Sequence, residues 1–398
     1  MNAQATDLRR TELDVLRFLA FLGVFFCHAL LRHPGRLESL RVAGSFGVCV
    51  FFLLSSYLIT ELLQREKSNF GTIHLEAFYM RRGLRIWPLY LLVVIFDYFF
   101  QAHVHPGVFT RSHLLALLFA ADNWYVAKHG WLLSLSTPFW SISVEEQFYA
   151  LWPFIRKIFC RTTCIIFCVI VFVFAYVAME YLCHTGAGGT TNIWVNSFVQ
   201  FQFFSVGALL AFALRGRTLL IRLNLRLLLF LSGIAIFSFT GYLFHINETL
   251  VHPPFHSMAF GYLLINLGCI SIFFSILGAK PPNILRPLVY LGKISYGLYV
   301  FHWIALEFGS HLIVSYLLKN HQTTRTTTVV IQSATAFVLT ILMASISFRF
   351  FEAPVLRYKK RFEFIPTSPA DSSNSKPAAP QLPQSKTSDP VPSAACVA

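Results

Sequence analysis

Long apolar stretches recur along this chain of 398 residues, and they restrict its fold more than any other feature. Each stretch is close to the roughly 20 residues that a helix needs to cross the hydrocarbon layer of a bilayer. We therefore predict an all-α fold, a polytopic transmembrane helical bundle. The ten predicted spans are residues 13–31, 44–63, 86–104, 142–159, 163–182, 196–213, 227–244, 257–277, 290–310 and 328–350.

The composition excludes a soluble globular enzyme. Charged residues make up 13% of the chain, whereas soluble domains typically carry roughly 25%. The net charge of +14 would suit a nucleic-acid partner in a soluble protein, but here the basic residues cluster between apolar stretches, so we expect no nucleic acid. The eight cysteines lack the His/Cys spacing of a zinc site, and we expect no metal.

The distribution of basic residues predicts how the chain is oriented. With the N-terminus inside, alternating segments place 24 of the 32 Lys and Arg on the cytoplasmic side and 7 outside. Since cytoplasmic loops carry the excess of positive charge, an N-in and C-in bundle is favoured. We expect a cytoplasmic segment at 1–12, a membrane domain at 13–354 and a cytoplasmic tail at 355–398. The tail should be disordered beyond about residue 366, where Pro, Ser and Ala dominate.

Ionisable side chains in the first span need an explanation. An Arg or Asp at the centre of a span costs about 2.5–3.5 kcal/mol, and this span contains Asp14, Arg17 and His28. Arg17 and His28 are three helical turns apart, so they share one face and lie ~16 Å apart along the axis. Snorkelling to the headgroups would also account for Arg17, and a hydrogen-bonded core position would account for His28.

Two arginines, Arg82 and Arg85, precede the third predicted span at i, i+3 spacing, which places them on one helix face. Two guanidinium groups at a cytoplasmic helix end suit a phosphorylated ligand, because each can make bidentate bonds to phosphate oxygens. Ordinary anchoring of a helix by basic residues at the membrane surface would give the same spacing.

Polar side chains also form stripes on the fourth and ninth predicted spans. Carboxylates and histidines at a membrane edge can orient or accept a proton. Hydrogen bonding between helices would use the same residue types. The members are Trp140, Ser141, Glu145 and Tyr149 on the fourth span, and Ser295, Tyr299 and His302 on the ninth.

Together these segments resemble the acyltransferase-3 family of integral membrane O-acyltransferases, over residues 13–354. The matching segments, in the family's order, are Leu16-Arg17 with Ala20 and His28; Gly47-Val48 with 51–59; 78–88; 140–153; 294–296 with His302-Trp303; and 351–354. Ser56 stands where the family usually has Gly, which would alter the packing there. No extracytoplasmic hydrolase-like domain follows the last predicted helix, so we expect a stand-alone member.

The resemblance implies transfer of an acyl group, usually acetyl, from cytoplasmic acyl-CoA to a hydroxyl of a sugar, glycan or glycolipid outside the plasma (inner) membrane. It implies that His28 is the catalytic base, with Arg17 and Glu145 also catalytic. A neutral histidine with an ordinary pKa near ~6.5 suits such a base. Arg82 and Arg85 would hold the acyl-CoA phosphates, with Arg17 nearer the thioester. The acceptor-binding residues expected are Trp140, Ser141, Tyr149, Tyr299 and His302.

Two other classes of function use similar features. A proton-coupled secondary transporter of a small polar solute would also bury histidine, arginine and glutamate. Such transporters usually show inverted repeats or paired broken helices, and the sequence shows neither. A non-enzymatic membrane scaffold would give the buried charges no purpose. Within the acyltransferase interpretation, direct transfer and an acyl-histidine intermediate both stay open.

Overall fold

A computed structural model describes residues 10–30, 38–104, 107, 109–132, 134–244, 246, 250–320, 325–359 and 362. These residues form helices and no strand, so the predicted all-α class is confirmed. The α-helices are α1 Thr11–Ala29, α2 Glu38–Ser45, α3 Gly47–Phe70, α4 Leu75–Val104, α5 Arg111–Leu118, α6 Asp122–His129, α7 Trp140–Ile158, α8 Arg161–Thr185, α9 Gly189–Val195, α10 Ser197–Leu214, α11 Leu223–Leu243, α12 Phe255–Ile276, α13 Arg286–Lys293, α14 Ser295–Asn320, α15 Arg325–Ser347 and α16 Ala353–Lys359.

Seven helical stretches among the described residues are long and apolar enough to cross a membrane. They are Ser39–Phe70, Leu75–Val104, Arg161–Thr185, Gly189–Leu214, Leu223–Leu243, Phe255–Ile276 and Thr327–Tyr358. The chain is therefore a multi-pass helical membrane protein. The other three predicted spans correspond to α1, α7 and α14, and each of these helices carries part of the predicted site. The N-in, C-in orientation stays a prediction.

Some helices differ in length from the predicted spans. α4 begins at Leu75, eleven residues before the apolar stretch, so Arg82 and Arg85 lie inside the helix. The predicted outer loop at about 105–139 contains α5, α6 and a 3-10 turn at Thr137–Phe139. Residues 1–9 and the predicted disordered tail beyond 366 lie outside the described part of the chain.

The first helix is central to the arrangement. α1 packs against α2, α3, α13 and α14, and its buried side chains are mostly apolar, as in Phe21 and Phe25. One of its faces therefore meets α14, the helix of the ninth predicted span. This contact brings the face of α1 that carries His28 against the polar stripe of α14, although His28 and His302 are 274 residues apart in sequence.

α3 and α10 approach closely at Gly207. A side chain at this glycine would collide with the Oγ of Ser56 and the carbonyl oxygen of Leu53. Ser56 is fully buried and donates a hydrogen bond to that same carbonyl, at 3.0 Å. The serine that departs from the usual family residue thus fits because α10 has a glycine opposite it.

We predict that Gly207→Ala lowers the free energy of unfolding by about 1–3 kcal/mol, because the added methyl group overpacks this contact. Gly83→Ala is the matched control, since a Cβ there meets nothing within 4 Å. That control should be neutral or stabilising by up to about 1 kcal/mol, because alanine favours the helix. Thermal unfolding in detergent measures both variants, and equal stability of the two would contradict the close contact.

Candidate functional site

The imidazole rings of His28 and His302 meet where α1 and α14 pack together. Nδ1 of His28 lies 2.8 Å from Nε2 of His302, and the rings stack with centroids 5.0 Å apart. His302 is fully buried, and its Nδ1 lies 2.5 Å from the carbonyl oxygen of Tyr299. His28 is half-buried. The two histidines therefore form a hydrogen-bonded pair anchored to the backbone of α14.

The hydrogen bonds fix the tautomers of the two neutral rings. A carbonyl oxygen only accepts, so Nδ1 of His302 carries the proton and Nε2 of His302 accepts. Nδ1 of His28 must then donate to that nitrogen. The lone pair of His28 is left on Nε2, which is the arrangement that a general base needs.

His28 lines a cavity of about 400 Å³, a size in the usual range for small-molecule sites. Its walls include four tryptophans, and one of them, Trp303, also packs edge-on against His28 with centroids 5.0 Å apart. Arg41, Ser45 and Thr137 are among its polar lining groups. Flat aromatic faces with a few polar groups suit a ligand with both C–H and hydroxyl surfaces, as a sugar ring has. The tryptophans of the wall are Trp131, Trp140, Trp194 and Trp303.

Tyr299 belongs to both the histidine pair and the cavity. Its carbonyl holds His302, and its side chain lines the cavity. The hydroxyl groups of Tyr299 and Ser141 lie 2.6 Å apart, and each is 3.1 Å from the carbonyl oxygen of Pro138. The predicted stripes on α7 and α14 thus meet directly, and Ser141 supports the wall from behind.

Three arginines gather near the other end of α1. Nη1 of Arg17 lies 2.8 Å from Oδ1 of Asp14. The positive charges of Arg85 and Arg82 on α4 are close enough to repel that of Arg17. Within the described residues, Arg82 and Arg85 make no hydrogen bond or ion pair, so their guanidinium donors are available to a ligand. The arginines predicted from two separate sequence segments therefore form one cluster.

Glu145 lies beside this arginine cluster. It accepts hydrogen bonds from the hydroxyl groups of Ser55 and Tyr149, and the guanidinium of Arg82 lies 5.2 Å from the centre of the Tyr149 ring. Glu145 therefore orients the aromatic ring on which Arg82 rests. The ring of His28 is oriented by its hydrogen bond with His302, and the sequence analysis did not predict this contact.

The expected acceptor-binding residues separate into two groups. Trp140 and Tyr299 line the cavity, and Ser141 and His302 are buried directly behind it. Tyr149 lies at the arginine cluster instead. Among the described residues, no group of three His, Cys, Asp or Glu side chains is arranged to hold a metal ion.

Sequence reasoning missed several buried carboxylates, among them Asp97 and Asp122. Asp97 lies within the third predicted span and is fully buried, so the same cost argument that identified Arg17 applies to it. Asp122 lies 2.9 Å from Nε2 of His113, and both side chains are buried. Burial raises the pKa of the Asp122 carboxyl above its usual range, and the hydrogen bond with His113 opposes that shift.

Most of this chain is similar in sequence to a known protein family. Residues 10–348 match the family described as "Acyltransferase domain", the acyltransferase-3 family. The O-acetyltransferase OatA of Staphylococcus aureus (strain NCTC 8325 / PS 47) is 26% identical over 373 residues, which are 89% of this chain and 58% of the relative. YrhL of Bacillus subtilis (strain 168) is 26% identical over 377 residues, 86% of this chain and 54% of the relative.

A shorter match is to the peptidoglycan O-acetyltransferase OatA of Listeria monocytogenes serovar 1/2a (strain ATCC BAA-679 / EGD-e). It is 29% identical over 159 residues, 38% of this chain and 24% of the relative. The chain thus spans little more than half the length of the curated relatives that it matches along most of its sequence. No solved structure matches significantly.

The hydrogen-bond chain makes a spectroscopic prediction. Nitrogen-15 spectra of labelled histidine should show His28 and His302 as neutral rings protonated at Nδ1, assigned by difference from His28→Ala and His302→Phe proteins. In His302→Phe the acceptor for His28 Nδ1 is lost, so the His28 signals should become a mixture of tautomers. His103→Ala, which removes an exposed ring, should leave both unchanged. A His28 ring protonated at Nε2 in the wild type would contradict the assignment.

Proposed function

The chain belongs to the acyltransferase-3 family, and we propose that it is a membrane O-acyltransferase that moves an acyl group from acyl-CoA to a hydroxyl of a glycan. The acyl group is acetyl, as the names of the relatives indicate for those proteins. The donor binds on the cytoplasmic side and the acceptor on the outer side of the plasma (inner) membrane. The observation that supports this most strongly is the free lone pair of His28, held by His302 at the wall of an aromatic cavity.

The donor end of the site is the arginine cluster. Arg82 and Arg85 supply guanidinium donors to the phosphates of CoA, and such charge-assisted bonds are strong and specific. Arg17 lies on the same face of α1 as His28, ~16 Å away along the axis. The flexible pantetheine arm would run along this interval, because the charged nucleotide should not enter the hydrocarbon region.

The acceptor end is the aromatic cavity. A sugar ring stacks against the tryptophan faces, with one hydroxyl directed at Nε2 of His28. His28 removes the hydroxyl proton as the oxygen attacks the thioester carbonyl carbon, a transfer typically worth 10²–10⁴-fold in rate. The C–O bond forms, the C–S bond breaks, and the CoA thiolate takes the proton from His28.

His302 assists the base without touching the substrate. When His28 gains a proton, its Nδ1–H remains bonded to Nε2 of His302, so the imidazolium is held in place and stabilised. Glu145 acts at the donor end, where it fixes Tyr149 beneath Arg82. Peptidoglycan is the first glycan to test, because it is named for a relative.

The direct test is transfer by the purified full-length chain in lipid nanodiscs. Radiolabelled acetyl-CoA is supplied with either chitotetraose or peptidoglycan fragments released by a muramidase, and we expect label in at least one glycan. His28→Ala should reduce transfer at least about 100-fold, because the base is lost. His103→Ala, at an exposed ring outside the site, should transfer normally. Full activity in folded His28→Ala would refute the role of His28.

Substitution of Arg82 or Arg85 should weaken the binding of acyl-CoA and leave the binding of the glycan unchanged. We predict that Arg82→Gln and Arg85→Gln each raise KM for acetyl-CoA about 10- to 100-fold, because one charge-assisted phosphate contact is worth about 1.5–3 kcal/mol and each 1.4 kcal/mol is tenfold. Steady-state kinetics at saturating glycan measure this effect.

Arg81→Gln is the matched control for the donor arginines. Its guanidinium bonds the Phe362 carbonyl at 2.5 Å and Glu66 at 3.4 Å. This variant should lower stability and leave KM for acetyl-CoA unchanged. An equal rise in KM for all three variants would point to a general structural effect and count against phosphate binding by Arg82 and Arg85.

A further inference from the structure

The carboxylate of Asp97 is buried on α4 and bonded to a segment that forms one wall of the aromatic cavity. Its Oδ1 accepts from the backbone N–H of Leu135 at 3.1 Å. Its Oδ2 accepts from the backbone N–H of Ser136 at 2.9 Å and from the Ser136 hydroxyl at 2.6 Å. Asp97, Ser134 and Ser136 are all buried. Three donors on one carboxylate make this the most fully bonded acidic side chain near the cavity.

The wall segment, residues 131–132 and 134–139, supplies much of the cavity surface. Trp131, Leu132, Thr137 and Pro138 of this segment line the cavity. Within the segment, the Thr137 hydroxyl lies 2.7 Å from the Leu132 carbonyl oxygen, so the turn is braced internally. The wall segment has no long helix of its own to set its position.

Side chains of the neighbouring helices hold the wall segment from outside, and Ser141 of α7 is one of them, bonded to the Pro138 carbonyl. Asp97 holds Leu135 and Ser136 from α4, and Tyr299 holds the Pro138 carbonyl from α14. The contact with Tyr299 links the segment to the helix turn that also holds His302. Among these contacts Asp97 supplies a carboxylate, and hydrogen bonds to a carboxylate are stronger than those between neutral groups.

We propose that Asp97 is a positioning residue that sets the affinity for the acceptor by fixing the wall segment against the cavity. The proposal rests on the proposed function, since it assumes that the cavity holds the acceptor. A stacked sugar needs its aromatic walls in a defined place, and small displacements of such supports weaken binding strongly. The donor arginines lie elsewhere and should not respond.

The test compares four chains: wild type, Asp97→Asn, Ser136→Ala and Asp122→Asn. In Asp97→Asn the amide NH₂ faces a backbone N–H, so at least one bond is lost together with the charge. Ser136→Ala removes one of the three donors and keeps the two backbone bonds. Asp122→Asn is the matched control, because Asp122 is equally buried but lines no part of the cavity.

Two measurements are made on each folded protein. Kinetics with acetyl-CoA and the glycan that wild type accepts, chitotetraose or muramidase fragments, give the two KM values and kcat. Asp97→Asn should raise KM for the glycan about tenfold with KM for acetyl-CoA unchanged, and Ser136→Ala should raise it less. Hydrogen–deuterium exchange should show faster exchange at residues 134–139 in Asp97→Asn but not in Asp122→Asn.

Each outcome has a defined meaning. A glycan KM for Asp97→Asn within twofold of wild type, or unchanged exchange at residues 134–139, would overturn the proposal. Equal rises in both KM values, or the same rise in Asp122→Asn, would show general destabilisation and would also overturn it. Failure of wild type to acetylate any glycan would instead refute the proposed function itself, and this inference with it.

Discussion

The hydrogen bonds that link His28, His302 and the Tyr299 carbonyl depend on one constraint: polar groups inside a membrane bundle must find partners within the protein. His302 is fully buried, so an unbonded ring there would be unfavourable. The carbonyl of its own helix satisfies one nitrogen, and His28 satisfies the other. Satisfying the buried ring leaves a lone pair on Nε2 of His28, the member of the pair that lines the cavity.

The same constraint explains how the site is divided. Charged groups gather near one end of α1, where Arg17 has Asp14 as its partner and interacts with Arg85. Aromatic rings and hydrogen-bonded neutral groups predominate near the other end, around His28, where Arg41 also lines the cavity. The proposed reaction would use these two environments for an anionic donor and a sugar, and α1 carries a residue into each.

Much of this could be predicted from the sequence, because apolar length and helical spacing are local properties. Nine of the ten predicted spans fall mainly on one helix, and the ninth, 290–310, includes the end of α13 as well as part of α14. Ser141, Glu145 and Tyr149 do share one face of α7. The partners across helices could not be predicted in this way. His28 and His302 are 274 residues apart, and nothing in either segment specifies that they meet.

The paths of the loops and the contacts that they make could not be predicted from the sequence either. Asp97 could have been noticed, because a carboxylate in an apolar span needs an explanation as much as an arginine does. Its partners could not, since the path of residues 134–139 depends on contacts from both α4 and α14. The position of Glu145 on one face of α7 was predicted correctly. Its place beside Arg82 was not, because that depends on how α4 packs against α7.

The fixed interval between Arg17 and His28 on α1 has a consequence for how such a protein can diverge. Each residue advances a helix by about 1.5 Å and turns it by about 100°. Inserting or deleting a single residue in this interval would swing the imidazole away from its partner on α14, whatever residue was added. Substitutions can alter which ligand the pocket accepts, but the number of residues between Arg17 and His28 fixes the distance and the angle between their side chains. Relatives with larger acyl groups should therefore differ in the pocket lining and keep this spacing.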